Sequence, residues 1–407
     1  MEIVIRRTFA ALKIRNFKLF IIGQSISLSG TWIQTIALSW LVLQLTHSGT
    51  KLGLVIAAQF LPILIFGVWG GVVADRFDKK HILYFTQSAA GILALVLGLI
   101  VAFHIVQLWM VYLLAIGLGF VNAIDMPARQ SFVIEMVGGE YLKNAITLNS
   151  TMVNMARLIG PTFAGILIAS TNTASCFIIN AISYIAVLIA LHTMRDNELK
   201  KAKISQKRPG QIRAGFKYIM EVPELKVTLL MMLIIGTFAY EFPVIFPLFA
   251  TITIHGNAST YSAMMAATGI GAIFGGLYTA GQSNTSIRQI IYVAIFFGFS
   301  IILAAIMPSL ITVLLILIIV GALSVLFIAL GNTTLQLLSL PEMRGRVMSF
   351  WAVAFAGTTP IGGPIIGYIS DHSNPRIGLA VGGVSSILAG VIGYYIYKMN
   401  IKPKLTY

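Results

Sequence analysis

Gly70-Gly71-Val72-Val73-Ala74-Asp75-Arg76-Phe77-Asp78-Lys79-Lys80 is a short charged turn between two long apolar runs. Runs of the same kind repeat on both sides of it until twelve are counted, near 17–45, 49–74, 81–104, 106–126, 143–170, 174–194, 226–252, 258–281, 288–308, 310–336, 346–370 and 376–397. Each has the roughly 20 residues that an α-helix, rising about 1.5 Å per residue, needs to cross about 30 Å of hydrocarbon. The runs lack the alternation of a lipid-facing barrel strand, so helices are left to satisfy the backbone. The expected fold class is an all-α membrane protein with 12 transmembrane helices.

Composition points the same way. Of 407 residues, 57% are hydrophobic and 10% charged, against roughly 25% charged in a soluble domain. The formal net charge of +15 does not mark a nucleic-acid binder, because the basic residues are scattered over short inter-span segments instead of forming one patch. With both termini on one side, all of the 28 Lys and Arg residues except Lys51, Arg376 and Arg157 fall on that side or its membrane edge. This asymmetry assigns both termini to the cytoplasm, and low cysteine content with no outer-membrane barrel pattern points to a bacterial inner membrane. A lone Cys176 excludes internal disulfides and a cysteine-based metal cluster. Residues 1–18 form a basic leader without a cleavable apolar core.

The punctuation repeats about half a chain later. Gly70-Gly71 returns as Gly275-Gly276 and Gly160-Pro161 as Gly363-Pro364, whereas the second copy of the turn reads Tyr278-Thr279-Ala280-Gly281-Gln282 and has lost its charges. Such internal symmetry belongs to carriers made by duplication. The expected domains are a first six-helix bundle over 1–194, a cytoplasmic linker over 195–225 and a second bundle over 226–407. Within the linker, Gln211 to Met220 fits an amphipathic helix with Phe216 and Ile219 inward and Arg213 and Lys217 toward headgroups; an unstructured linker fits equally well.

Gly71-x-x-x-Asp75-Arg76-x-Asp78-Lys79-Lys80 resembles the loop between helices two and three of the major facilitator superfamily, G-x-x-x-D-R-x-G-R-R, with Asp78 where glycine is usual. Physically, Gly71 allows close helix approach, and Asp75 can face the positive N-terminal end of a helix in the other half. The resemblance implies a cytoplasmic latch of Gly71, Asp75, Arg76, Lys79, Asp125 and Arg129; with helix four ending near Met126, Asp75, Lys79, Asp125 and Arg129 lie at one cytoplasmic level and are either a charge relay or ordinary topogenic charges. Ala156-Arg157-Leu158-Ile159-Gly160-Pro161-Thr162-Phe163-Ala164-Gly165 looks like the helix-five signature of proton-coupled antiporters. Its small residues, Ala156, Gly160 and Gly165, are expected to pack helix five on helix eight, with Pro161 bending it. Phe9-Ala10-Ala11-Leu12, Arg15-Asn16-Phe17, Gly30-Thr31-Trp32, Pro127-Ala128-Arg129-Gln130, Asn144-Ala145-Ile146 and Pro341-Glu342-x-Arg344-Gly345-Arg346 are similar to the enterobactin-exporter branch, which also holds drug efflux proteins.

Polar residues at membrane depth must face protein or a water-filled cavity. Gln24, Ser27, Thr31 and Gln34 share one face of the first span, and Thr147, Ser150, Asn154 and Arg157 one face of the fifth. They line a cavity or bond between helices. Arg157 either receives an anionic substrate group or is a fixed structural cation. Glu241, in Tyr240-Glu241-Phe242-Pro243, is an acid deep in the seventh span; it either exchanges a proton as the cavity changes exposure or stays paired with Arg157. The candidate substrate cavity is Gln24, Ser27, Thr31, Gln34, Asn154, Arg157, Tyr240 and Glu241.

Neither a phosphate-binding glycine loop nor a metalloprotease helix is present, so no cofactor, metal or catalysis is expected. The reading is a monomeric proton-coupled secondary exporter of a small molecule, a siderophore first and a drug or macrolide second. An importer or a non-transporting sensor on the same scaffold is the competing class.

Overall fold

The computed structural model describes residues 10–200, 211–280 and 285–400. Gly281 and Gln282 of the second turn, and Phe9 of the N-terminal similarity, lie outside them. The described secondary structure is helical. The helices are α1 (Arg15–Thr46), α2 (Gly49–Arg76), α3 (Lys79–Ala102), α4 (Leu108–Ser170), α5 (Thr173–Thr193), α6 (Gln211–Glu221), α7 (Pro223–Phe238), α8 (Phe242–Leu248), α9 (Ala258–Ala280), α10 (Ile287–Ile306), α11 (Leu310–Leu338), α12 (Pro341–Ala356), α13 (Thr359–His372) and α14 (Pro375–Asn400). Eleven spans among the described residues are long and apolar enough to cross a membrane; α9, with 23 residues rich in Ala, Gly, Ser and Thr, is as long as several of them.

Local chemistry fixes the helix ends. Asp78 is the N-cap of α3 and accepts from the backbone N–H of Lys80 (3.0 Å) and His81 (3.2 Å). That explains the carboxylate at a position where the resembling loop has glycine: it satisfies orphan donors at a helix start. Ser286 and Gln289 form a capping box on α10. The fourth and fifth spans, expected to be separated by a cytoplasmic segment over 127–142, run as one helical stretch broken at Gly138. Gly138 has φ 68° and ψ −177°, a conformation essentially reserved for glycine. The carbonyl of Glu135, left over by the break, accepts from Lys200 N–H at 2.8 Å. The seventh span breaks into α7 and α8 at Ala239–Glu241 and ends in a π-turn, Phe249–Thr253.

The chain divides into two compact units, 1–47 with 58–206, and 48–57 with 207–407. In the first, α1 packs on α4 and α5, and α3 on α4 and α5. In the second, α9 packs on α11, α10 on α11 and α14, and α7 on α12 and α14. The duplicated glycines do the same work in each. A Cβ on Gly70 would strike the Ala123 carbonyl, joining spans two and four, and one on Gly275 would strike the Ala322 carbonyl, joining spans eight and ten. Where lipid tails are as apolar as leucine, close backbone approach of this kind holds helices together. Gly71 was the expected point of approach, yet a Cβ there would meet nothing within 4 Å. Facing α4 is Gly70, one residue and 100° around the helix away.

Two asparagines, Asn16 buried and Asn144 half-buried, tie the first unit at the end carrying the charged turn. Asn16 donates to Arg195 O (2.9 Å) and accepts from Arg195 N–H (3.0 Å), while Asn144 accepts from Ala11 N–H (2.8 Å). Phe17, Phe20, Phe132 and Leu83 fill the core beside them. Of the two readings left open for the linker, a helix is present as α6. Ile219 is buried as expected, whereas Phe216, expected inward, is exposed beside Phe350; Tyr218 bonds Leu338 O and Leu340 N–H.

Candidate functional site: a polar cavity inside the first unit

A cavity of about 70 Å³ opens within the first unit, among α1, α2, α3, α4 and α5. Its wall from α1 is the stripe Gln24, Ser27, Thr31 and Gln34. Gln24, Ser27 and Gln34 are buried although polar, and the structure brings all four to one space. Residues that the sequence reading did not single out, Gln59, Gln87 and Asn122, complete it, together with Tyr184, an aromatic expected either to stack on a planar ligand or to pack. The available signal was polar side chains within otherwise apolar spans. Such a space holds a few waters and supplies the two to four polar partners that each needs.

Hydrogen bonds sort these groups into occupied and available ones. Asn180 Nδ2 donates to Gln34 Oε1 at 2.7 Å, fixing the amide at one end of the stripe. Thr31 and Thr35 donate to the carbonyls of Ser27 and Thr31 on their own helix, as helical hydroxyls commonly do. By contrast Gln24 Nε2 and Gln87 Oε1 are buried with no hydrogen-bond partner. A buried, unsatisfied amide costs about 1–3 kcal/mol, so two at one cavity mark it as a place for a hydrogen-bonding guest.

Asp125 and Arg129 close the cavity. Asp125 is 1% exposed. One carboxylate oxygen accepts from Thr86 Oγ1 and Gln87 Nε2, each at 2.7 Å, and the other from Arg129 Nη2, one turn along α4. Of the four residues expected to form a relay, Asp125 pairs with Arg129, and Lys79 pairs with an acid outside the expected set. Lys79 binds Glu135 at 2.7 Å, with both side chains largely buried. Glu135 was missed; its signal was one acid in the apolar run 132–137. Arg76 is exposed, and the side chain of Asp75 lies outside the described residues.

The remaining expected residues lie elsewhere. Arg157 sits over the Trp32 ring, 5.3 Å from its centroid. Asn154 is half-buried, and Thr147 and Ser150 of the same stripe are exposed. Ala156 is buried. Gly160, expected to seat the fifth span on the eighth, lies against Ser29, Trp32 and Ile33 of α1, where a Cβ would collide with Trp32. Pro161 lies inside the part of α4 that follows the break at Gly138, with Gly165 one turn beyond. In the second unit Tyr240 donates to Ser324 O at 2.9 Å and packs against Phe297 and Phe355, a scaffold arrangement. Glu241 is 3% exposed at the α7–α8 break, beside Thr359 and the backbone of Gly362 and Gly363. Its Oε1 has no hydrogen-bond partner. It borders a cavity of about 10 Å³ whose other walls include Phe238, Ile301, Ile366 and Leu379.

Residues 6–403 match the model of a family described as transmembrane secretion effectors, within the major facilitator superfamily. The chain belongs to this family. It is 25% identical to the staphyloferrin A transporter of Staphylococcus aureus over 92% of this chain and 94% of the relative. It is 26% identical to the enterobactin exporter of Salmonella paratyphi A, covering 92% and 91%, and 23% identical to the multidrug efflux pump Tap of Mycolicibacterium fortuitum, covering 91% and 93%. A peptide-transporter-family structure, solved with a thioalcohol-conjugated peptide, superposes with a TM-score of 0.78 at 11% identity, over 95% of this chain and 97% of that one. The likeness supports the facilitator fold. The chain is a multi-pass membrane transporter of this superfamily.

Proposed function

We propose that this transporter is a monomeric, proton-coupled exporter of a siderophore in a cytoplasmic membrane, with both termini inside and two six-helix halves working by alternating access. The observation that carries the reading is the polar cavity in the first unit, where Gln24 Nε2 and Gln87 Oε1 await partners among otherwise apolar spans. A siderophore is rich in oxygen donors and acceptors, and a wall of amides and hydroxyls matches that chemistry better than it matches a lipophilic cation. Two relatives named for siderophores, aligned over 92% of the chain, support the same class.

Glu241 is the coupling group in this reading. A carboxyl that is 3% exposed and short of one hydrogen-bond partner at a helix break can take a proton when its side of the carrier opens and release it when the other side does. Drug efflux is the second reading, supported by the similarity to Tap. Accumulation of candidate siderophores and dyes in cells with and without the gene tests both. The siderophore reading expects retention of the metal-free siderophore in cells lacking the gene and no change in dye accumulation; the reverse result favours drug efflux.

A further inference from the structure

Asp371 has no part in the cavity or in the coupling role. It stands in the last turn of α13, and its carboxylate accepts four hydrogen bonds from the chain that opens α2: Gly49 N–H at 2.6 Å, and Thr50 N–H, Thr50 Oγ1 and Ser48 Oγ at 2.8 Å each. A helix start presents unpaired N–H groups and a partial positive charge. Bonds from such donors to an ionised carboxylate are roughly twice as strong as neutral ones. The nearby cation Arg376 does not compete, since its guanidinium donates to Ala305 O (2.6 Å) and Met307 O (2.9 Å) at the end of α10.

The helix that Asp371 grips is divided. Residues 48–57 group with the second unit, and from residue 58 onward α2 groups with the first. Backbone contact accompanies the grip: a Cβ on Gly53 would collide with the Gly363 carbonyl, and one on Gly367 with the Gly49 carbonyl. Pro62 lies inside α2 just past the division. Without an N–H, it leaves the Ala58 carbonyl with no i+4 donor, and this is the point at which a helix bends most readily. The α2 helix thus has an arm over Gly49–Ala57, a weak joint at Ala58–Pro62 and a body that stays with the first unit.

We propose that Asp371 is a latch on this arm: its carboxylate holds the start of α2 on α13, and the arm swings about Pro62 when the latch opens. Resting on the alternating-access reading above, the latch lies on the side opposite the termini and must release for the carrier to open there. Neutralising Asp371 biases the protein toward the released state.

The test places spin labels at Leu54→Cys on the arm and Ile377→Cys on α14, both exposed, in a Cys176→Ala background in lipid nanodiscs. Asp371→Ala is expected to move the main distance peak outward by several ångström, and Asp371→Asn to give an intermediate shift. Should Asp371→Ala fail to fold, Ser48→Ala with Thr50→Val removes the two hydroxyl donors while keeping the acid, and expects a smaller shift in the same direction. Distance distributions equal to the parent's in the folded variants overturn the latch. Efflux measured on the same proteins separates the two readings. A shifted distance with no transport even by the parent removes the exporter and keeps the latch; unshifted distances in an active parent background remove the latch alone.

Discussion

Replacing Asp125 with Ala removes one acceptor from three donors at once. Thr86 Oγ1 and Gln87 Nε2 lose 2.7 Å bonds, and Arg129 loses its counter-ion in a site where the acid is 1% exposed. Breaking a buried pair from one side costs about 3–5 kcal/mol. Arg129 keeps 24% of its side chain exposed, so part of its charge is recovered by water, and the lower end, about 3 kcal/mol, is expected. At roughly 2–4 °C per kcal/mol for units of this size, melting in detergent should fall by about 6–12 °C. The mechanism is specific to the orphaned cation. Asp125→Ala combined with Arg129→Met should therefore recover at least half of the loss, because no uncompensated charge is left buried. An Asp125→Ala protein that melts with the parent, or a double variant no better than the single, refutes this account of the network.

Glu241→Gln keeps shape and burial but cannot ionise, so efflux should lose its dependence on an imposed proton gradient while the protein still folds and inserts; full gradient dependence would remove Glu241 from coupling. Gly271→Ala places a Cβ against the Ile318 carbonyl between α9 and α11 and should destabilise by about 1–3 kcal/mol as an overpacked contact, whereas Gly71→Ala should melt with the parent. Asp78→Ala removes the cap of α3 and should cost about 1 kcal/mol, read as a small fall in melting temperature. Lys79→Ala removes its largely buried ion pair with Glu135 and should cost more than removal of the exposed Arg76, as thermal unfolding of the two variants will show.

Span positions were legible because crossing a bilayer demands one period and one length, and nearly every apolar run begins and ends within a few residues of its helix. The α1 stripe was legible for the same reason, since residues at spacings of three and four must share a face. What escaped was the pairing of side chains between helices. Lys79 chose Glu135, and Asp125 drew Thr86 and Gln87, because rotation and axial stagger of neighbouring helices decide partners, and a single chain's periodicity carries neither. The interruption at Gly138 was hidden by its flanks: residues 127–142 are mixed in polarity and read as a loop, but they are helical up to the one glycine whose backbone leaves the allowed region for other residues. The choice between Gly70 and Gly71 likewise turned on the direction in which α2 faces α4.

The central claim is that this transporter carries a small oxygen-rich molecule across the membrane in exchange for protons, with the polar residues of the first unit forming part of its path. Purified protein in liposomes, given metal-free siderophore on one side and an imposed proton gradient, tests it directly. The account predicts siderophore movement against the proton flow that stops with a protonophore and falls at least tenfold when Gln24 and Gln87 are both changed to Leu. No movement by the parent, or movement indifferent to both the gradient and the two glutamines, would contradict it.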